Sequence, residues 1–233
     1  MSISIVINHT YTLFEVGLFQ ENKLIEAVIE TSKNTSKKLL PIIDQLLKTH
    51  NLDLKNISHI SVNSGPGPFT TLRSIIATIN GIAFAKHIPL VSVDGMKTFL
   101  LEQQTPLFPI TIGVFNAFNN EIFYGIEVKS EITYIHYGNI DFVLDEIKKT
   151  YPEQTIRFIG SGVTLYKENI EKLFGEWLYI PDPNPESVSL NSVGISGFHK
   201  FKNNEDIFEQ LLPQYLKQFT YPKSLLYRHH RLN

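Results

Sequence analysis

Ser64-Gly65-Pro66-Gly67-Pro68-Phe69-Thr70-Thr71-Leu72-Arg73 decides how this chain folds. Ile57 to Asn63 runs into it as a strand carrying Ile57, Ile60 and Val62, and Leu72, Ile75, Ile76, Ile79, Ile82 and Ala83 run out of it at helical spacing. A glycine-rich turn between a strand and a helix is where anions settle, because the helix N-terminus offers unpaired N–H groups and a partial positive charge. Pro66 and Pro68, however, have no N–H to offer. The turn therefore reads as a stiff shaped element as well as a phosphate cradle, and no Gly-Lys-Ser/Thr follows to complete a P-loop.

Outward from this turn, Ile3 to Ile7, Leu13 to Phe19 and Leu24 to Ile29 predict a three-strand meander. A helix from about Ser36 to Thr49 follows, with Leu39, Ile43, Leu46 and Leu47 on one face. Leu90 to Val93 predicts a further strand, and strands alternating with helices imply parallel pairing in a mixed sheet. The pattern breaks around Gln103 to Pro109, so a boundary is expected between residues 1–104 and 105–233. Beyond it, strands Ile110 to Phe115 and Ile122 to Val128 form an expected hairpin. A helix at 141–149, a strand Thr155 to Ile159 and a helix at 164–174 complete the second half, as a duplicated α/β plan would. Pro181 to Pro185 is a connector, and the aromatic, basic tail from Tyr221 to Asn233 either packs back on the first half or stays loose.

Composition narrows the function. The 233 residues are 42% hydrophobic with a formal net charge of −2, enough for a sizeable core and without the basic excess of a nucleic-acid-wrapping protein. No cysteine occurs, which excludes disulfides, thiolate catalysis and zinc–thiolate sites. No apolar run reaches membrane length, and a cytoplasmic protein is expected. His229 and His230 are adjacent and so point apart, leaving no metal site and no expected cofactor. Ser64 and Ser161 both lack the Gly-x-Ser-x-Gly order of a hydrolase elbow.

The 64–73 turn, Ile3 to Thr10, Lys38 to Pro41, Gly81 to Val91, Asn116 to Phe123 and Leu212 to Leu216 together resemble the TsaB/YeaZ family. That resemblance implies an α/β fold of the actin/Hsp70/sugar-kinase (ASKHA) type with two lobes and mixed sheets. It also implies a non-catalytic partner of a TsaD-like enzyme that installs threonylcarbamoyl on the adenosine beside the tRNA anticodon. A TsaE-like ATPase would be a further partner, tRNA would be met only indirectly, and a homodimer remains open when the partner is absent.

The same resemblance makes Asn8, Thr10, Gly65, Gly67, Thr70, Arg73 and Asn116 candidates for a degenerate nucleotide site. Carboxylates of the kinase-like fold align with Asn8 and Asn116, and an amide is neither a general base nor a strong hard-metal ligand. Both asparagines are also ordinary turn residues. The alternative function is a nucleotide-dependent transferase or ATPase acting alone through the turn, Thr10, Thr70 and Arg73.

Opposite the apolar stripe of the helix after the turn stand Ser74, Ala77, Thr78, Gly81, Phe84 and Ala85, with no charge between Arg73 and Lys86. A water-facing helix normally carries Lys and Glu, so this face is expected to be covered, by the chain's own second half or by a partner. Lys37 and Asp44 on the preceding helix complete the candidate partner surface.

Overall fold

The computed structural model describes residues 2–214; the tail, with Tyr215, Leu216, His229 and His230, lies outside the described residues. Eleven strands among these residues form two mixed sheets. In the first, β1 (Ile3–His9), β2 (Leu13–Gln20) and β3 (Lys23–Thr31) are the antiparallel meander. β4 (Ile57–Asn63) adds parallel to β1, β5 (Leu90–Val93) adds parallel to β4, and the two-residue β11 (Ile207–Phe208) caps the edge. The second sheet repeats the plan. β6 (Ile110–Asn116), β7 (Glu121–Val128) and β8 (Glu131–Asn139) form its meander, and β9 (Ile156–Ile159) and β10 (Leu178–Tyr179) extend it in parallel. The orders β3-β2-β1-β4-β5 and β8-β7-β6-β9-β10 are the same arrangement twice, as a duplicated α/β fold requires.

Helices fill the layers around the sheets. α1 (Thr35–Thr49) and α2 (Phe69–Lys86) bury Leu39, Ile43, Leu46, Leu72, Ile75 and Ile79 against one face of the first sheet. α4 (Ile140–Thr150), α5 (Ser161–Leu165) and α6 (Lys167–Phe174) do the same for the second, and the expected single helix at 164–174 is broken at Tyr166. Between the sheets lie α3 (Gly95–Glu102) and α7 (Leu190–Asn203). Their placement is exchanged. α3, from the first half, packs on β6, β7 and β8, whereas α7, from the second half, packs across the first sheet. A middle core of Val6, Phe19, Val93, Met96, Phe99, Phe115, Ile159 and Val193 joins everything. α7 approaches closely because Gly194 and Gly197 present bare backbone: a Cβ at these positions would lie 2.3 Å from the Phe19 ring and 2.1 Å from Ser61 Oγ. No helix among the described residues is long and apolar enough to cross a membrane.

Candidate functional site

The 64–68 turn sits where β1 and β4 end, at the mouth of the middle core, and it is held from every side. Ser64 N–H donates to Val93 O at 2.9 Å, Ser64 Oγ donates to the same carbonyl at 3.1 Å, and Gly95 N–H donates to Gly65 O at 2.8 Å. Gln214 N–H reaches Ser64 O at 3.1 Å, bringing the far end of the described chain onto the turn. Gly67 is a glycine because His9 lies beneath it: a Cβ there would meet His9 Nε2 at 2.8 Å.

The candidate nucleotide residues divide into two groups. Asn8 is fully buried and bonded to Glu15, Asn63 and the Val188 carbonyl. Gly65 N–H is taken by Asn63 Oδ1 at 3.0 Å. Thr10 Oγ1 stitches its own hairpin, accepting from Leu13 N–H at 3.0 Å. Asn116 Oδ1 accepts from Phe118 N–H at 2.8 Å, the turn role its residue type favours, and its carbonyl accepts from the Tyr11 hydroxyl across the gap between the hairpins. Thr70 and Arg73 stand outside this cluster on the exposed first turns of α2, with the Arg73 guanidinium 3.7 Å over the Phe69 ring. The structure thus brings Asn8, Gly65 and Gly67 together, and does not join them to Thr70 and Arg73.

What space remains is small. A cavity of about 20 Å³ is lined by His9, Thr10, Tyr11, Asn63, Pro66 and Gly67 with Glu186 to Val188 opposite. That is room for about one water molecule. Burial holds His9 neutral, pushing its pKa down to about 4, and pushes the Tyr11 phenol upward. Glu15 is raised by burial and pulled back by the Asn8 amide. Among the described residues no cluster of three His, Asp or Glu is placed to hold a metal ion. Glu15, Asn63, Tyr11 and Val188 escaped the sequence reading. Asn63 had a weak signal, an amide closing β4 directly before the glycine-rich turn.

The second candidate surface is the outer side of α1 and α2. Ala77, Gly81, Phe84 and Ala85 are exposed, Phe84 by 83%, and Ser74 and Thr78 are half-buried. A Cβ at Gly81 would find nothing within 4 Å. Residues of the chain's second half reach only the edge of this face, where Asn80 is bonded to Leu211 and Ile207 to Glu209 lie beside Phe84. Lys37, Leu40 and Asp44 are exposed on α1 beside it, with Asp44 paired to Lys48 at 2.7 Å. α4 and α6, which hold the corresponding place on the second sheet, carry ordinary charged exteriors: Asp141, Asp145, Glu146 and Lys149 on one, Lys167, Glu168, Glu171 and Lys172 on the other.

Residues 29–168 match the family model of TsaD, tRNA N6-adenosine threonylcarbamoyltransferase. The TsaB protein of Bacillus subtilis (tRNA threonylcarbamoyladenosine biosynthesis protein) is 23% identical over 223 residues, covering 93% of this chain and 94% of its own. The threonylcarbamoyltransferase of Nitrosomonas eutropha is 30% identical over 70 residues, 30% of this chain and 21% of that one. Among solved structures, YeaZ from Pseudomonas aeruginosa superposes with a TM-score of 0.70 at 19% identity, covering 93% of this chain and all of that one. The two-lobed ASKHA-type fold expected from the sequence is the fold observed.

Proposed function

The chain belongs to the TsaD threonylcarbamoyltransferase family, in its TsaB/YeaZ branch, and from that premise we propose that it is a non-catalytic subunit required for threonylcarbamoylation of the adenosine beside the tRNA anticodon. The observation that carries the reading is the occupied turn: Asn8 and the Gly65 amide are already bonded within the chain, and the cavity beside them measures about 20 Å³. A nucleoside triphosphate needs a cleft more than ten times larger. The chain accordingly acts through its surface. Its contact face is the outer side of α1 and α2, where Ser74, Ala77, Thr78, Gly81, Phe84 and Ala85 let a helix of a TsaD-like catalytic subunit approach closely, with Lys37 and Asp44 at the rim. In the absence of that subunit the same face pairs two copies of this chain. A TsaE-like ATPase joins the assembly, and tRNA is held by the catalytic subunit, since this chain has no basic excess.

Reconstitution tests this. Threonylcarbamoyl transfer to tRNA should require this chain together with a TsaD-like subunit, and this chain alone should give background transfer and background ATP hydrolysis. Robust turnover by the isolated chain, abolished by Arg73→Ala, would establish the self-sufficient enzyme instead.

A further inference from the structure

Asn8 lies in the buried run of β1 with no exposed surface, and both N–H groups and the oxygen of its amide are used. Nδ2 donates to Glu15 Oε2 at 2.7 Å and to the Val188 carbonyl at 3.0 Å, while Oδ1 accepts from Asn63 Nδ2 at 2.8 Å. One side chain therefore joins β1, β2, β4 and the segment 180–189 that returns the chain from the second sheet to the first. Asn63 passes the link on, its Oδ1 accepting from Gly65 N–H at 3.0 Å. We propose that Asn8 is the pin of a latch that clamps the return segment and the 64–68 turn onto the first sheet, and that the latch works only with an amide at this position.

The donor count is the reason. Glu15 and the Val188 carbonyl both require a hydrogen, and Asn63 supplies one, so the pin must give two hydrogens and accept one. Aspartate has the same shape and gives none when ionised. It would place a second carboxylate 2.7 Å from the half-buried Glu15, where two like charges so close cannot both persist. The other titratable groups facing the cluster are His9, the next residue of β1, which burial keeps neutral, and Glu186 on the return segment. Glu102 of α3 reaches only the adjacent Ser189 N–H. Among the described residues β4 and α7 bring no acid or base into hydrogen-bond reach of Asn8 or Glu15, and no Lys or Arg pairs with Glu15.

Asn8→Asp tests it through a signature that loss of packing would not give. At pH 8 the variant should melt roughly 6–20 °C below the parent, as for a buried charge left unpaired in a chain of this size. At pH 5 the gap should at least halve, because the folded carboxylate pair binds a shared proton that the unfolded chain holds less tightly, so stability returns as pH falls. Combining it with Glu15→Gln should recover at least half of the loss at pH 8, since the glutamine amide supplies a hydrogen to Asp. Hydrogen exchange at the Gly65 amide should accelerate in the single variant. A parental melt at pH 8 would overturn the latch, as would a loss unchanged at pH 5 and unrelieved by Glu15→Gln. If the single variant yields no folded protein, the double variant decides: folding supports the latch, and failure to fold overturns it.

Discussion

Gly81→Arg puts the proposed contact face under direct load. Gly81 lies midway along α2 between Ala77 and Ala85, one turn apart on either side, with nothing within 4 Å of the place its Cβ would occupy. In the monomer, melted at a concentration too low for two copies to pair, the added side chain starts into open space, and replacing a mid-helix glycine favours the helix by up to about 1 kcal/mol. The monomer should therefore melt at the parental temperature or about 2–4 °C above it. In the complex the same side chain must either hold the helices apart or bury an unpaired guanidinium. An interface of standard size buries about 1,600 Å² in total, and a wedge or unpaired charge near its centre costs about 3–5 kcal/mol. That is a loss of two to more than three decades in affinity for the TsaD-like subunit. Calorimetric titration of that subunit, paired with a thermal melt of the variant, gives both numbers. Unchanged affinity would refute α2 as the contact, and a collapsed melt would refute the placement of Gly81 on an uncovered face.

With magnesium and ATP, the isolated chain and its Asn8→Asp/Asn116→Asp variant, assayed below the variant's lowered melting temperature where it is shown to be folded, should both hydrolyse at background rate in a steady-state phosphate-release assay; turnover by the double variant would show that two carboxylates suffice for hydrolysis. Burial pushes the pKa of His9 and His59 down to about 4, below the unfolded value, so the folded chain binds fewer protons; their stabilisation is complete above about pH 6.5 and is lost as pH falls towards 4. Each should account for up to about 3 kcal/mol of acid destabilisation, and denaturant melts from pH 7 to 4 should show a shallower slope for His9→Leu than for the parent. Gly194→Ala should cost about 1–3 kcal/mol because its Cβ falls 2.3 Å from the Phe19 ring, which has no exposed surface into which to move; a parental denaturation midpoint would contradict the close seating of α7.

Elements with a clean period were legible in the residues. The stripe from Leu72 to Ala83 marked the body of α2, and the meander of β1 to β3 followed from its alternation. β8 was not, because its hairpin turns at Lys129 and Ser130, two residues at positive φ without the glycine or asparagine that marks such turns. α7 was hidden by its own packing device: Gly194, Gly197 and three serines at or near its start lower its helical signal, and they are the residues that let it lie flat on the sheet and cap it, Ser189 Oγ accepting from Ser192 N–H. α3 is eight residues long and buried on most sides, so it shows no polar face to set a period. At the site, residue types were readable and partnerships were not. The asparagines stood out as amides, but the bond between Asn8 and Asn63 spans 55 positions and exists only because β1 and β4 pair in parallel at one register.

The exchange of α3 and α7 has a consequence for synthesis on the ribosome. The first sheet has all its central strands once Val93 has emerged, yet the helix that covers its inner face begins at Leu190, about 100 residues later. At about 5–20 residues per second that interval lasts roughly 5–20 s, during which Val6 and Phe19 face outward on a nascent half-layer. A ribosome stalled in the second half would hold a sticky, uncapped sheet, so chaperone occupancy of the nascent chain should persist until residue 203 clears the exit tunnel and then fall in a single step.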